Sequence, residues 1–214
     1  MTTVNAVIFD LDETLVRTAS LYEEAVLATF AGFGAPLSSE DFREIYHENV
    51  HVVEMLGRLG LGEQESAFRA ERDQRYIGLL KEHAAWYPDA IACLAGLPEH
   101  LSRGILTGSW RTYVDAIDEK LNLYSRIPAV STADNFRHCG GKPNPYGLEQ
   151  LAKHMQVQPK RCVYVGDQDY DMRAARNAGM IACLIRRSYT PQCAEGNADM
   201  ILDDLQELPE KLAP

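Results

Sequence analysis

The sequence predicts an α/β fold, a parallel sheet interrupted by a helical insertion after its first strand. Three observations carry this. Short apolar runs recur along the second half of the chain with helix-like stretches between them, the pattern of βαβ units. An isolated apolar run, Ala6 to Phe9, opens the chain and stops at Asp10-Leu11-Asp12. The 70 or so residues after it read as helix only.

The first run has the length of a strand buried on both faces. From Leu15 to Ala85 no convincing strand is found. Leu21–Phe33, Ser39–Leu59 and Glu63–His83 instead show amphipathic helical spacing. Ser38 or Ser39, after Pro36, is the expected N-cap of the second. Pro88 marks the return to alternation. Strands are expected at Gly104–Leu106, Ile127–Val130, Cys162–Val165, Met180–Ile185 and Met200–Leu202. Helices are expected at Trp110–Leu123, Pro145–Met155, Asp171–Ala178 and Leu205–Leu212. The expected domains are a catalytic core, residues 1–14 and 86–214, and a helical unit, residues 15–85.

Composition narrows the function. A chain of 214 residues, 46% hydrophobic and 24% charged, can bury a full core. Its net charge of −10 argues against nucleic-acid binding. No run is long and apolar enough for a membrane span. The five cysteines form no CxxC and follow no signal peptide, so a cytoplasmic, reducing setting is expected.

Four segments carry the chemistry. Asp10 and Asp12 stand where the first strand ends, at the edge where open α/β sheets bind ligands. Two carboxylates held close repel, so a cation, a proton or a phosphoryl group must make use of them. Asp10 suits a nucleophile and Asp12 a general acid and base; a plain helix cap at Asp12 or Thr14 is the structural alternative. Leu106-Thr107-Gly108-Ser109 follows another strand. There the Thr107 hydroxyl and free backbone N–H groups at Gly108 can hold a phosphoryl oxygen. In Gly140-Gly141-Lys142-Pro143-Asn144-Pro145, a stiffened loop fixes an ammonium that can neutralise carboxylate and phosphate. In Gly166-Asp167-Gln168-Asp169-Tyr170-Asp171, Asp167 can join Asp10 in a hard oxygen site suited to Mg2+, with Asp171 supporting a bound water or Lys142. Alone, the second and third are ordinary cap and loop chemistry; their company gives them weight.

In this order the segments resemble the haloacid dehalogenase superfamily. Asp10-x-Asp12-x-Thr14 is similar to its first motif, Thr107 to its second, Lys142 to its third and Gly166-Asp167-x-x-x-Asp171 to its fourth. Lys142-Pro-Asn-Pro and the stretch from Asp171 to Gly179 resemble the phosphoglycolate-phosphatase-like branch. The resemblance spans nearly the whole chain. It implies a Rossmann-like core with an all-helical cap of the first type, and a Mg2+-dependent phosphohydrolase acting on a small phosphorylated metabolite. It implies Mg2+ on Asp10, Asp167 and the main chain of Asp12, with the cap closing over substrate. Two positions depart from the branch: Glu13 stands where Gly is common, and Gly108 where Asn is frequent.

Other readings compete less well. His47-Glu48-Asn49-Val50-His51 fits the zincin HExxH pattern. A helical wheel, however, sets Phe42, Ile45, Tyr46, Asn49, Val53 and Leu56 on one face and both histidines roughly opposite, towards solvent. A zinc hydrolase is therefore a remote alternative. A dehalogenase resembles Asp-x-Tyr where Asp12 stands. A phosphonate-cleaving enzyme needs a cap lysine, and the insertion has only Lys81, near its end. A non-enzymatic phospho-switch lacks the insertion. A phosphosugar mutase shares the Asp10 and Asp12 chemistry and remains the main alternative. With twelve acidic and seven basic side chains the insertion is no polyanion clamp. Arg17, Tyr22, Arg43, Tyr46 and His47 are possible substrate contacts that no spacing ranks. The oligomeric state is not encoded in any visible pattern.

Overall fold

A computed structural model of the chain describes residues 3–47 and 52–212. The strands are β1 (Ala6–Phe9), β2 (Val16–Arg17), β3 (Ala85–Trp86), β4 (Ser102–Leu106), β5 (Ala129–Ser131), β6 (Cys162–Gly166), β7 (Ile181–Ile185) and β8 (Met200–Leu202). The helices are α1 (Ala19–Gly32), α2 (Ser39–His47), α3 (Val52–Arg58), α4 (Glu65–His83), α5 (Pro88–Gly96), α6 (Arg111–Leu121), α7 (Leu123–Arg126), α8 (Ala133–Phe136), α9 (Tyr146–His154), α10 (Asp169–Asn177) and α11 (Glu207–Lys211). The chain divides into two compact units, Met1–Arg17 with Ala85–Pro214, and Thr18–Ala84.

In the first unit, six strands form one parallel sheet in the order β5-β4-β1-β6-β7-β8. Every residue of β1 is fully buried, as a central strand covered on both faces must be. Ile8 pairs with Gly104 of β4 on one side and Tyr164 of β6 on the other. From β1 the chain builds outwards through β4 to β5. It then crosses back and builds the other way from β6. The order therefore reverses between β1 and β6, and open α/β sheets take their ligands beyond the C-terminal ends at such a switch point. On one face, Ala6, Ile8, Leu106 and Tyr164 pack with Leu148, Leu151, Met172 and Ala175. A Cβ at Gly104 would lie 2.8 Å from the Met155 sulfur, so glycine there lets the chain after α9 approach the sheet.

The second unit is helical throughout its described residues. Phe30, Phe42, Leu56, Leu61 and Phe68 form its core, with the Phe30 and Phe68 rings 4.5 Å apart. Ser38 caps α2: its hydroxyl accepts from the Asp41 N–H at 3.1 Å, and its own N–H donates to the Asp41 carboxylate at 2.7 Å. The expected helix over Ser39–Leu59 is α2 and α3, with residues 48–51 outside the described residues. Phe42 and Leu56 of the expected apolar face are buried. Asn49 and His51 of the HExxH reading, and the side chains of Tyr46, His47 and Val53, also lie outside the described residues.

Three expectations are corrected. The segment from Leu15 to Ala85 does hold strand: β2 and β3 pair antiparallel, Val16 with Trp86 and Arg17 with Ala85. Strands of two residues are specified by their partner, not by local pattern. The helix expected over Trp110–Leu123 breaks at Asn122, whose φ of 51° is left-handed, and resumes as α7. Two helices were not anticipated: α5, opened by Pro88 in its first turn, and α8, capped by Thr132 with Asn135.

Candidate active site

Strand ends deliver three of the four predicted segments to one edge of the sheet, and the loop before α9 brings Lys142 to them. The Asp10 N–H continues the ladder by donating to the Val165 carbonyl at 2.8 Å, which fixes Asp10 beside the end of β6. Asp10, Asp167 and Asp171 are buried, and an oxygen of each lies within 4.8 Å of the others. Lys142 is the cation among them. Its Nζ donates to Asp10 at 2.7 Å, to Asp171 at 2.6 Å and to the Tyr164 hydroxyl at 3.1 Å. Burial disfavours the Lys142 ammonium, but Asp10 and Asp171 outweigh it and hold its pKa well above the ordinary value.

Three carboxylates thus face one ammonium. Burial pushes the Asp10 carboxyl above the usual carboxylate range against the pull of Lys142, and Asp171, Asp12 and Asp167 add to the rise. Burial and the neighbouring Asp171 raise Asp167 to about 7. The remaining negative charge is what a cation or a proton must answer.

Asp12, half-buried, turns to the second segment. The hydroxyls of Thr107 and Ser109 converge on its Oδ2, at 3.0 and 2.8 Å. Ser109 N–H in turn donates to Thr107 Oγ1 at 3.0 Å. Gly108 lies between them, and a Cβ there would meet nothing within 4 Å, so close packing does not demand glycine. The Lys142 loop is pinned outside the cluster: Asn144 donates to the Cys139 carbonyl at 2.8 Å, and Asn177 to the Pro143 carbonyl at 3.0 Å. The Lys142–Pro143 peptide is cis.

Asp171 occupies the third position of α10, where its Oδ2 accepts from the Gln168 N–H at 3.1 Å. Its Oδ1 holds Lys142. Gly166 makes this possible, since a Cβ there would sit 2.5 Å from the Asp171 side chain. Sequence reasoning missed three contributors. Ser109 follows Thr107 by two residues, a usable signal. Thr14, whose hydroxyl donates to Asp167 at 3.0 Å, stands in the first motif. Tyr164 lies inside an apolar run, where only its hydroxyl hinted at a role; that hydroxyl also lies 3.1 Å from the Leu106 carbonyl and from Asp171. Glu13 has a φ of 58°, a left-handed conformation that glycine would adopt without strain. Of the possible substrate contacts, Arg17 lies over the Tyr87 ring and Tyr22 packs on Phe42 and Tyr76. Arg43 is exposed.

The fold and this carboxylate cluster define an α/β protein with a charged site at the switch point of a parallel sheet, and comparison supplies the class and the family. The profile of the haloacid dehalogenase-like hydrolases matches residues 4–179, and the chain belongs to that family. It is similar to a glyceraldehyde 3-phosphate phosphatase from Methanopyrus kandleri, 28% identical over 98% of this chain and 95% of the relative. It is also similar to a phosphoglycolate phosphatase from Synechococcus elongatus, 27% identical over 95% of this chain and 96% of the relative. The crystal structure of a predicted phosphoglycolate phosphatase from Haemophilus somnus superposes with a TM-score of 0.85 at 19% identity, each chain covered in full. Among the described residues no helix is long and apolar enough to cross a membrane.

Proposed function

We propose that the chain is a Mg2+-dependent phosphatase that hydrolyses a small phosphorylated metabolite through an aspartyl-phosphate on Asp10. The observation that carries this reading is the junction of Asp10, Asp167 and Asp171 around Lys142 at the switch point. The donor set is all oxygen, from carboxylates and main chain, which fits a hard divalent ion. Asp10, Asp167 and the main chain of Asp12 would hold it, with Asp171 in support. When bound, Mg2+ draws negative charge from the phosphoryl oxygens.

The chain's own groups then divide the work. An Asp10 oxygen attacks phosphorus as the ester P–O bond breaks, and Asp12 gives its proton to the departing alkoxide. Asp12 next takes a proton from water as that water attacks the aspartyl-phosphate, which releases inorganic phosphate and restores Asp10. Thr107, the Gly108 main chain and Lys142 stabilise the equatorial oxygens. The Lys142 charge beside Asp10 also reduces the repulsion between an anionic nucleophile and an anionic substrate. Relatives named for glyceraldehyde 3-phosphate and phosphoglycolate support a small metabolite as substrate. Burial pushes the Cys93 and Cys183 thiols up to about 12, which keeps them neutral and unreactive.

The test is a panel of small phosphomonoesters assayed with Mg2+ and with excess chelator. Phosphate release from several esters, dependent on Mg2+ and on no bisphosphate activator, is expected. Interconversion of phosphosugar isomers faster than phosphate release would make the protein a mutase. Full activity in chelator would sink the magnesium assignment, and activity restored only by zinc would favour the HExxH reading.

A further inference from the structure

Arg187 follows β7 and belongs to none of the four motif segments. Its guanidinium forks onto Asp89 in the first turn of α5, Nη1 to Oδ2 at 2.8 Å and Nη2 to Oδ1 at 3.0 Å. Nη2 also donates to the Thr14 carbonyl at 3.0 Å. The Arg187 guanidinium carbon stands 3.9 Å from the centre of the Tyr87 ring, and the Tyr87 hydroxyl donates to Glu13 at 2.6 Å. The Arg187 and Asp89 side chains are only 9% and 12% exposed. The turn at Glu13 and Thr14 is therefore gripped twice, once by its backbone and once by a side chain.

A buried ion pair is a poor way to add stability, because an apolar pair of equal volume often does as well. This one leaves Arg187 Nε buried without an acceptor among the described residues. What the planar fork provides is direction, which a lysine's single ammonium does not. The turn needs direction. Glu13 holds a left-handed φ of 58°, strained for a side chain with a Cβ. The same turn presents Asp12 to Thr107 and Ser109, and the Thr14 hydroxyl to Asp167.

We propose that Arg187 is a positioning residue for the phosphoryl-transfer reaction, holding the Asp12–Thr14 turn by the Thr14 carbonyl so that the Thr14 hydroxyl stays on Asp167. This rests on the phosphatase reading given above. If Arg187 and Thr14 act in series, removing either breaks the same link, and removing both costs little more. Arg187→Lys keeps a cation beside Asp89 but cannot span both Asp89 oxygens and the Thr14 carbonyl.

The experiment is a double-mutant cycle of Arg187→Lys and Thr14→Val, assayed with p-nitrophenyl phosphate and saturating Mg2+. Each single variant should lose about tenfold in kcat with KM little changed, as removal of a supporting contact around a metal site does. The double variant should fall no more than about twofold below the weaker single. The rise in Tm on adding Mg2+ should shrink in both single variants, a readout that needs no turnover. Arg186→Ala, which cuts neighbouring surface pairs to Glu195 and Asp203, should change neither. Should Arg187→Lys fail to fold, Arg187→Gln with Asp89→Asn removes both charges together and enters the same cycle. Wild-type kcat and an undiminished Mg2+ shift in the folded variant would overturn the proposal, as would losses that simply multiply in the double variant. An inactive wild type would instead sink the phosphatase reading, while the Mg2+ shift still tests the grip on Asp167.

Discussion

The two units bury different materials. At the C-terminal edge of the sheet the α/β unit buries Asp10, Asp167, Asp171 and the Lys142 side chain. The helical unit buries Phe30, Phe42, Leu56 and Phe68. Of the charged side chains described there, Arg72 alone is buried, bonded to Asp73. The difference follows from backbone geometry. A parallel ladder fixes where each strand ends, so like charges can be set side by side and kept there. The described core of the helical unit is instead apolar and aromatic, and its helices meet through side-chain packing. Chemistry and packing stability are therefore separable along this chain, and substitutions should sort by unit.

The largest effects should come from the buried charges. Asp10→Asn should lose at least about 10³-fold in turnover of every phosphate ester, whatever the leaving group, since it removes the proposed nucleophile. A variant that still turned over good leaving groups would place the nucleophile elsewhere. Asp12→Ala should lose about 10²–10⁴-fold with poor leaving groups. With p-nitrophenyl phosphate it should give a burst near one equivalent followed by slow turnover, because the first step then needs little acid and the second is crippled. Equal losses for good and poor leaving groups, with no burst, would remove Asp12 from that role.

The helical unit should answer in stability instead. Phe68→Ala empties space against Phe30 and Phe33 and should cost about 3–5 kcal/mol in denaturant unfolding. Its folded fraction should keep the wild-type kcat; a fall in kcat would break the separation between units. Gly166→Ala tests the reverse, packing inside the charged cluster. The added Cβ must displace Asp171, costing about 1–3 kcal/mol and lowering kcat together. Smallest of all, Arg75→Ala removes an exposed pair with Glu71 on α4 and should cost only about 0.3–0.5 kcal/mol, with activity unchanged.

The carboxylate strand ends were legible because an apolar run followed by a carboxylate is a local signal: Phe9 to Asp10 and Val165-Gly166 to Asp167 could each be read without a partner, whereas Thr107 after Leu106 gained its weight only from the other segments. The company of Lys142 was legible only through motif order, since nothing near it in sequence points 132 residues back to Asp10. Contacts carried by side chains buried inside elements were not legible. Tyr164 read as one more apolar strand position, although its hydroxyl meets Lys142 and the Leu106 carbonyl. Arg187, 173 residues from Thr14, carries no local signal of its partner. The pairing of β2 with β3 failed for the same reason, being written in two places about 70 residues apart. The substrate stayed hidden because no regular spacing along the helical insertion marks which of its side chains would meet a ligand.

All three N–H bonds of the Lys142 ammonium have acceptors within the protein: Asp10, Asp171 and Tyr164. The chain thus carries a tethered counter-ion at the point where its carboxylates meet. Small metal-clipped domains fold only when an ion arrives from solution; here part of that charge is covalently attached and delivered by the loop after Gly141. The folded state need not wait on the ionic content of its surroundings to offset these carboxylates. Lys142→Ala would transfer that duty to the medium, leaving a protein whose melting temperature rises more steeply with added Mg2+ than that of the wild type.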